Sequence, residues 1–210
     1  MISLFIDTSS SDVSIAIIKD NKPLSIISKN MPNQHSTYTT KCIHDALEEA
    51  KLNAEDIDKI MIVNGPGSFT GVRIGLTIAK TYAWALNIPI SVISSLEAMA
   101  ISSSANCDFI VPLIDARRGY VYSAIFDSKT YNQVLKEQYI SLEALKVAIK
   151  SLGESHTLIS NDKFPFDTES YSPDILKIVT NLKDRETINP HSVDANYLKL
   201  TEAEEKLNAN

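Results

Sequence analysis

Long apolar runs are missing from this 210-residue chain, and no segment approaches the length a membrane span requires. The opening Met1-Ile2-Ser3-Leu4-Phe5-Ile6-Asp7 is far too short in its apolar part for a signal peptide and has no basic stretch before it, so a cytoplasmic location is expected. Cysteine is scarce: Cys42 and Cys107 stand far apart with no CxxC pairing, which favours buried thiols over a disulfide or a metal site. Positive charge is in deficit. A formal net charge of −6 argues against this chain carrying the main nucleic-acid surface, so any bound RNA would take most of its positive field from a partner. Nucleotide motifs are absent too: no Lys-Ser or Lys-Thr pair closes a Walker loop, and no dinucleotide fingerprint occurs. Histidines do not cluster. His35 and His44 fall on opposite faces of a helix, one read as a cap or surface residue and the other as exposed beside Lys41, Asp45 and Glu48. His156 and His191 have no carboxylate or cysteine at ligand spacing, and no metal site is expected.

What is present repeats. The first half reads as strands near 2–7, 13–18 and 24–29, a helix near 35–52, a strand near 59–64 and a helix near 70–86. The second reads as strands near 108–115, 119–126 and 134–140, a helix near 141–151, a strand near 156–160 and a helix near 174–183. Both halves are βββαβα, and Ile6, Asp7, Val13, Ala16 and Ile17 are echoed by Ile114, Asp115, Val121, Ala124 and Ile125. Two equivalent folding units, 1–104 and 105–210, are the economical reading, joined by a serine- and alanine-rich segment from Ser94 to Asn106 that favours a short helix.

The most informative stretch is Asn64-Gly65-Pro66-Gly67-Ser68-Phe69-Thr70-Gly71-Val72-Arg73-Ile74-Gly75-Leu76, a strand, a tight turn and a helix start. Such a junction can bring backbone N–H groups to an anion, or it can be a connection with no ligand. Ser68 or Thr70 is read as the helix N-cap, since Gly-Pro-Gly-Ser-Phe is not the Gly-x-Ser-x-Gly elbow of a hydrolase. Gly71, Gly75, Ala79 and Ala83 recur every fourth residue, giving a helix face with almost no side-chain bulk. Two covers are possible for that face, the protein's own core or another protein. The partner is favoured, because glycine in mid-helix costs about 1 kcal/mol unless close packing compensates.

Two βββαβα units in tandem have the order of the ribonuclease-H-like halves of the actin and sugar-kinase (ASKHA) superfamily, an α/β fold in which a cleft holds ATP. Asp7 and Asp115 would end the first strand of each unit, placed to hold magnesium through water beside a nucleotide. The turns after them lack the early glycines of active members, so capping of the turns is the preferred role. The acidic groups Glu48-Glu49 and Glu202, Glu204 and Glu205 read as solvated helix faces.

Several of these motifs carry a family resemblance. Ile6-Asp7-Thr8-Ser9, the run Gly65–Gly75, Ser95-Leu96-Glu97-Ala98 and Asp115-Ala116-Arg117-Arg118-Gly119 with Val121-Tyr122 together resemble the TsaB (formerly YeaZ) family, which contains a Gcp-like domain. Ala195-Asn196-Tyr197-Leu198-Lys199 is a weaker match to that family's carboxyl-terminal Pro-x-Tyr-Leu-Arg run. The resemblance implies a role in making N6-threonylcarbamoyladenosine at position 37 of tRNAs reading ANN codons. It implies a non-catalytic subunit that pairs with a catalytic paralogue, TsaD, while an ATPase, TsaE, completes the complex. It further implies a dimer contact built from the first two long helices. Tyr38, Cys42, Phe69, Gly71, Val72, Gly75, Ala79 and Ala83 are the expected contact residues. Asp7, Arg73, Asp115 and Arg118 are candidates for a nucleotide or interface contact, with Arg117 beside them.

The paralogue carries His-His-Met-Glu-Gly-His where this chain has Ser94-Ser95-Leu96-Glu97-Ala98-Met99, and serine and methionine do not replace imidazole at such a metal. No catalytic residue and no cofactor of its own are therefore expected, with ATP, ADP and metal on the partner subunits and tRNA met mainly through the partner. Two alternatives stand beside this reading: an ATP-binding enzyme of the ASKHA type, and a protein that pairs with its own copy when alone.

Overall fold

A computed structural model of the chain describes residues 1–31, 34–153 and 155–199. Its strands follow burial. β1 (Ile2–Asp7) and β2 (Asp12–Lys19) are buried along almost their whole length and read as near-continuous apolar runs, whereas β3 (Lys22–Asn30) turns only Ser25 and Ile27 inward. Asp20 and Asn21, at φ 48° and 64°, form the two-residue hairpin between β2 and β3. There follow α1 (His35–Ala50), β4 (Lys59–Val63), α2 (Phe69–Leu86), β5 (Ile90–Ile93) and α3 (Ser95–Ser102). The first sheet has the order β3-β2-β1-β4-β5, with β4 parallel to β1 and to β5. α1 and α2 end on Lys51 and Asn87 in the left-handed conformation, which lets the chain turn back toward the sheet.

β6 (Phe109–Asp115), β7 (Tyr120–Asp127), β8 (Gln133–Ser141), α4 (Leu142–Leu152) and β9 (His156–Ile159) build the second sheet, in the order β8-β7-β6-β9. In each sheet the first three strands form an antiparallel meander and the fourth lies parallel to the first, so the expected repetition is present at the level of topology. Among the described residues no helix is long and apolar enough to cross a membrane.

Two expectations need correction. β5 was not foreseen, because four residues after a proline carry little signal until β4 offers them a parallel edge. The division at 104/105 also fails for the carboxyl-terminal part: one unit comprises Met1–Ala98 and Pro173–Asn196, and the other begins at Met99, runs to Ser172 and resumes at Tyr197. The last helix, α5 (Ile175–Leu182), therefore belongs to the first unit.

Specific bonds hold it there. The buried Lys59 ammonium donates to the carbonyl oxygens of Leu182 at 3.2 Å and Lys183 at 3.5 Å, at the carboxyl end of α5, where the helix dipole favours a cation. Arg185 makes a two-pronged ion pair with Glu97 and reaches the Val92 carbonyl at 3.3 Å. Ile188 bridges to Ile90 on β5. Hydrogen bonding to Glu97 pushes the Arg185 guanidinium pKa up, while burial pulls the Lys59 ammonium down.

Candidate functional site

The Gly-Pro-Gly-Ser turn is closed against the end of β1. The Ser68 amide donates to the Ser9 carbonyl at 2.7 Å, and the Thr8 hydroxyl donates to the Gly71 carbonyl at 2.8 Å. A Cβ on Gly67 would sit 2.2 Å from the Ser9 carbonyl oxygen, and one on Gly71 would sit 2.1 Å from the Thr8 carbonyl oxygen. Glycine is required here by close backbone approach. Gly65 stands at φ 98°, its carbonyl accepts from the Ser95 amide at 2.8 Å, and the neighbouring Asn64 exchanges bonds with Asn196 and Asp194 of the returning carboxyl-terminal segment. Ser68 caps α2, its hydroxyl accepting from the Gly71 amide at 3.2 Å. The amides of Ser68 and Gly71 are thus engaged inside the protein.

The two strand-end aspartates act in the same local way. Asp7 is buried, and its Oδ1 accepts from the Ser9 amide at 2.9 Å and the Ser9 hydroxyl at 2.7 Å. Burial raises its pKa, against the lowering effect of those two bonds. Asp115 is exposed, accepts from the Arg117 amide at 2.8 Å, and donates its own amide to Asp162 at 2.7 Å. Both aspartates cap turns, and they belong to different units. Among the described residues no three His, Cys, Asp or Glu side chains group as a metal site. Arg118 is exposed at the hairpin tip, and Arg73 lies on the outside of α2 with its guanidinium carbon 3.7 Å from the centre of the Phe69 ring.

His35, expected as a cap or surface residue, is instead buried, and its Nε2–H donates to the Ser10 carbonyl at 2.8 Å. His44 is exposed and pairs with Glu48 at 3.6 Å. Cys42 is a buried free thiol, and Cys107 is free and half-buried.

The small-residue stripe of α2 faces inward. Gly71, Val72, Gly75, Ala79 and Ala83 are buried in the first unit together with Cys42 of α1, so of the two covers considered for this face the protein's own core is the one seen. A Cβ on Gly75 would meet the Thr8 hydroxyl oxygen at 2.3 Å and the Ile62 Cδ1 at 3.4 Å: β1 and β4 are the partner that the missing bulk accommodates. Of the expected contact residues only Phe69, at 55% exposure, and the half-buried Tyr38 reach the surface.

Of the outer face of α2 only Phe69 and Arg73 were foreseen. Phe69, Arg73, Thr77, Thr81 and Trp84 follow helical spacing, all are exposed, and Trp84, the single tryptophan of the chain, is 68% exposed. The amino-terminal part of this face, Phe69, Arg73 and Thr77, forms a shallow apolar groove with Ser36 and Thr40 of α1 and the half-buried Ile74 and Ile78. Its signal in the sequence was the tryptophan on the face opposite the glycines.

Two outcomes follow. Gly71→Ala lowers stability by about 1–3 kcal/mol in denaturant unfolding, although alanine ordinarily stabilises a helix, because a backbone oxygen cannot step aside; a gain in stability would contradict the close approach. Asp7→Asn keeps the acceptor for Ser9 and removes the charge. The raised pKa means that folded protein holds the Asp7 proton at a pH where unfolded chain has lost it, so wild-type stability falls as pH rises through that window. Thermal unfolding of the two proteins should coincide near the acid end and separate, asparagine higher, toward neutral pH; the opposite order would show a charge stabilised by its surroundings.

The comparisons with known proteins agree with this architecture. Residues 25–176 match the family model described as TsaD, tRNA N6-adenosine threonylcarbamoyltransferase. The tRNA threonylcarbamoyladenosine biosynthesis protein TsaB of Bacillus subtilis (strain 168) is 33% identical, over 98% of this chain and 97% of that protein. The protein of the same name from Buchnera aphidicola subsp. Baizongia pistaciae is 29% identical over 77% of this chain and 76% of its own. Among solved structures, a Pseudomonas aeruginosa protein described as similar to the peptidase YeaZ superposes with a TM-score of 0.81 at 22% identity, covering 94% of this chain and 99% of that one. YeaZ from the same organism gives 0.72 at 20% identity with the same coverage. At these identities the solved structures establish the fold. The near full-length match to the Bacillus protein establishes more: the chain belongs to the TsaB family of tRNA threonylcarbamoyladenosine biosynthesis proteins.

Proposed function

We propose that this protein is the non-catalytic subunit of a tRNA threonylcarbamoyladenosine-forming complex, and that it binds a catalytic TsaD-type paralogue through the outer face of α1 and α2. The observation that carries the reading is the exposure of Trp84 at 68% and Phe69 at 55% on a helix whose inner face is fully packed. Large aromatics left in water on one ordered face are what a protein interface covers, and tryptophan is enriched among residues that dominate binding energy. The groove between Phe69, Ile74 and Ile78 of α2 and Ser36 and Thr40 of α1 adds a concave element. Formation of the complex from two long helices per subunit fits this placement.

The division of labour follows from chemistry. The Gly-Pro-Gly-Ser turn is closed by Ser9 and Thr8, and Asp7 is held by Ser9. Transfer of the threonylcarbamoyl group, metal and nucleotide binding, and the main tRNA surface are therefore assigned to partner subunits, with the TsaE-type ATPase joining through the complex. In the absence of the paralogue the same face pairs with a second copy, because the apolar surface is identical in both situations. An ATP-dependent enzyme of the ASKHA type is the weaker reading, since neither strand-end aspartate heads a glycine-rich phosphate loop here.

Trp84→Asp together with Phe69→Asp should abolish co-elution with the paralogue and weaken its binding by a factor of a hundred or more, of the order expected from losing about 3 kcal/mol at a central aromatic contact. The unfolding midpoint stays within about 0.5 kcal/mol of wild type, as for surface changes. In a reconstituted modification assay, omission of this chain or use of the double variant removes product. Normal pairing by the variant would refute the assigned face, and full product without the chain would refute the role.

A further inference from the structure

An aromatic and cationic surface stands in the second unit. β7 turns Val121 toward the core formed with Leu145, so Tyr120 and Tyr122 lie on the opposite side of the sheet. Tyr122 pairs with Tyr139 across β7 and β8. The Tyr120 and Tyr139 rings are stacked, with centroids 4.6 Å apart and planes 9° from parallel, and Tyr122 adds a tilted ring 5.8 Å from Tyr139. The Lys199 ammonium lies 5.1 Å from the Tyr139 ring centre. Tyr120 is 39% exposed.

The turn leading into Tyr120 is unusual. Arg117, Arg118 and Gly119 stand consecutively at φ 68°, 55° and 76°, although arginine pays in strain for a left-handed backbone. Asp115 and Asp162 hold the base of this turn through its backbone amides, and the tip has both arginine side chains exposed. A stacked tyrosine pair with an ammonium over one ring, preceded in the same turn by two exposed arginines, combines a π-face with positive charge. That combination suits a nucleobase carrying a phosphate.

We infer that Tyr120, backed by Tyr139 and flanked by Arg117 and Arg118, is a stacking platform for an unpaired base of an RNA strand. The net charge of −6 limits this to a local contact that supplements a partner's surface. The choice of RNA over a free nucleotide rests on the tRNA-modification reading; the platform itself rests on the ring and charge geometry.

The test titrates the full chain, without any paralogue, into a fluorescein-labelled anticodon stem-loop RNA at about 50 mM salt and follows anisotropy. Wild type binds in the micromolar range. Tyr120→Ala weakens binding about tenfold, as loss of one base stack does, and Tyr120→Trp restores it. Arg117→Gln with Arg118→Gln also weakens binding, and flattens the dependence of log affinity on log salt by about 1. Absence of wild-type binding at about 100 μM protein overturns the proposal. So do variants that bind as wild type does, and so does Tyr120-dependent binding of free ADP without binding of the RNA. Because the paralogue is absent from the assay, each of these failures leaves the α1–α2 pairing standing.

Discussion

Everything distinctive in the first unit depends on one close approach, that of the β1 turn to the start of α2. The carbonyl oxygens of Thr8 and Ser9 press on Gly71 and Gly67 at distances that leave no room for a side chain, and the Thr8 hydroxyl and Ser68 amide bond across the same gap. Two backbones in contact without side chains between them form a junction that neither a small ligand nor water need fill. The glycines that elsewhere open a loop to phosphate here close it. Gly75 and Ala79 continue the same contact along α2, over Thr8, Ile62 and the core behind them.

This constraint decides what remains on the outside. With its small-residue face laid on the sheet, α2 must show its opposite face elsewhere, and that face carries Phe69, the threonines and Trp84. The closed turn and the exposed aromatic surface are then two consequences of a single packing choice. The same segment is secured from behind by the returning carboxyl-terminal stretch, which bonds Asn64 through Asn196 and Asp194 and is itself anchored by Lys59 and Arg185. Sequence positions more than a hundred residues apart therefore share responsibility for the shape of one turn.

Much of the fold could be read from residue order. Apolar runs such as Ile60-Met61-Ile62-Val63 and the three-strand, helix, strand pattern marked both sheets, because burial on two faces writes itself directly into composition. The return of α5 to the first unit could not be read, since it depends on where Lys59 and Glu97 find a carbonyl and a guanidinium in space. The stripe on α2 was legible as a stripe, but periodicity reports only that small residues share a face, not which way the face points. His35 failed for a related reason: a helix-start residue looks exposed until the Ser10 carbonyl is placed above it. The capping role of Asp7 and Ser68 was recoverable because it is local, spanning two or three residues.

Hydrogen exchange, read along this chain with and without a TsaD-type protein, bears most directly on the proposal that the packed inner face is structural and the outer face is the working surface. The account predicts that amides of α1 and of Phe69–Leu86 slow further on complex formation while those of the Asp7–Ser9 turn, already engaged within the protein, stay as they were. Unchanged exchange in both helices, with new protection confined to the second unit, would contradict it.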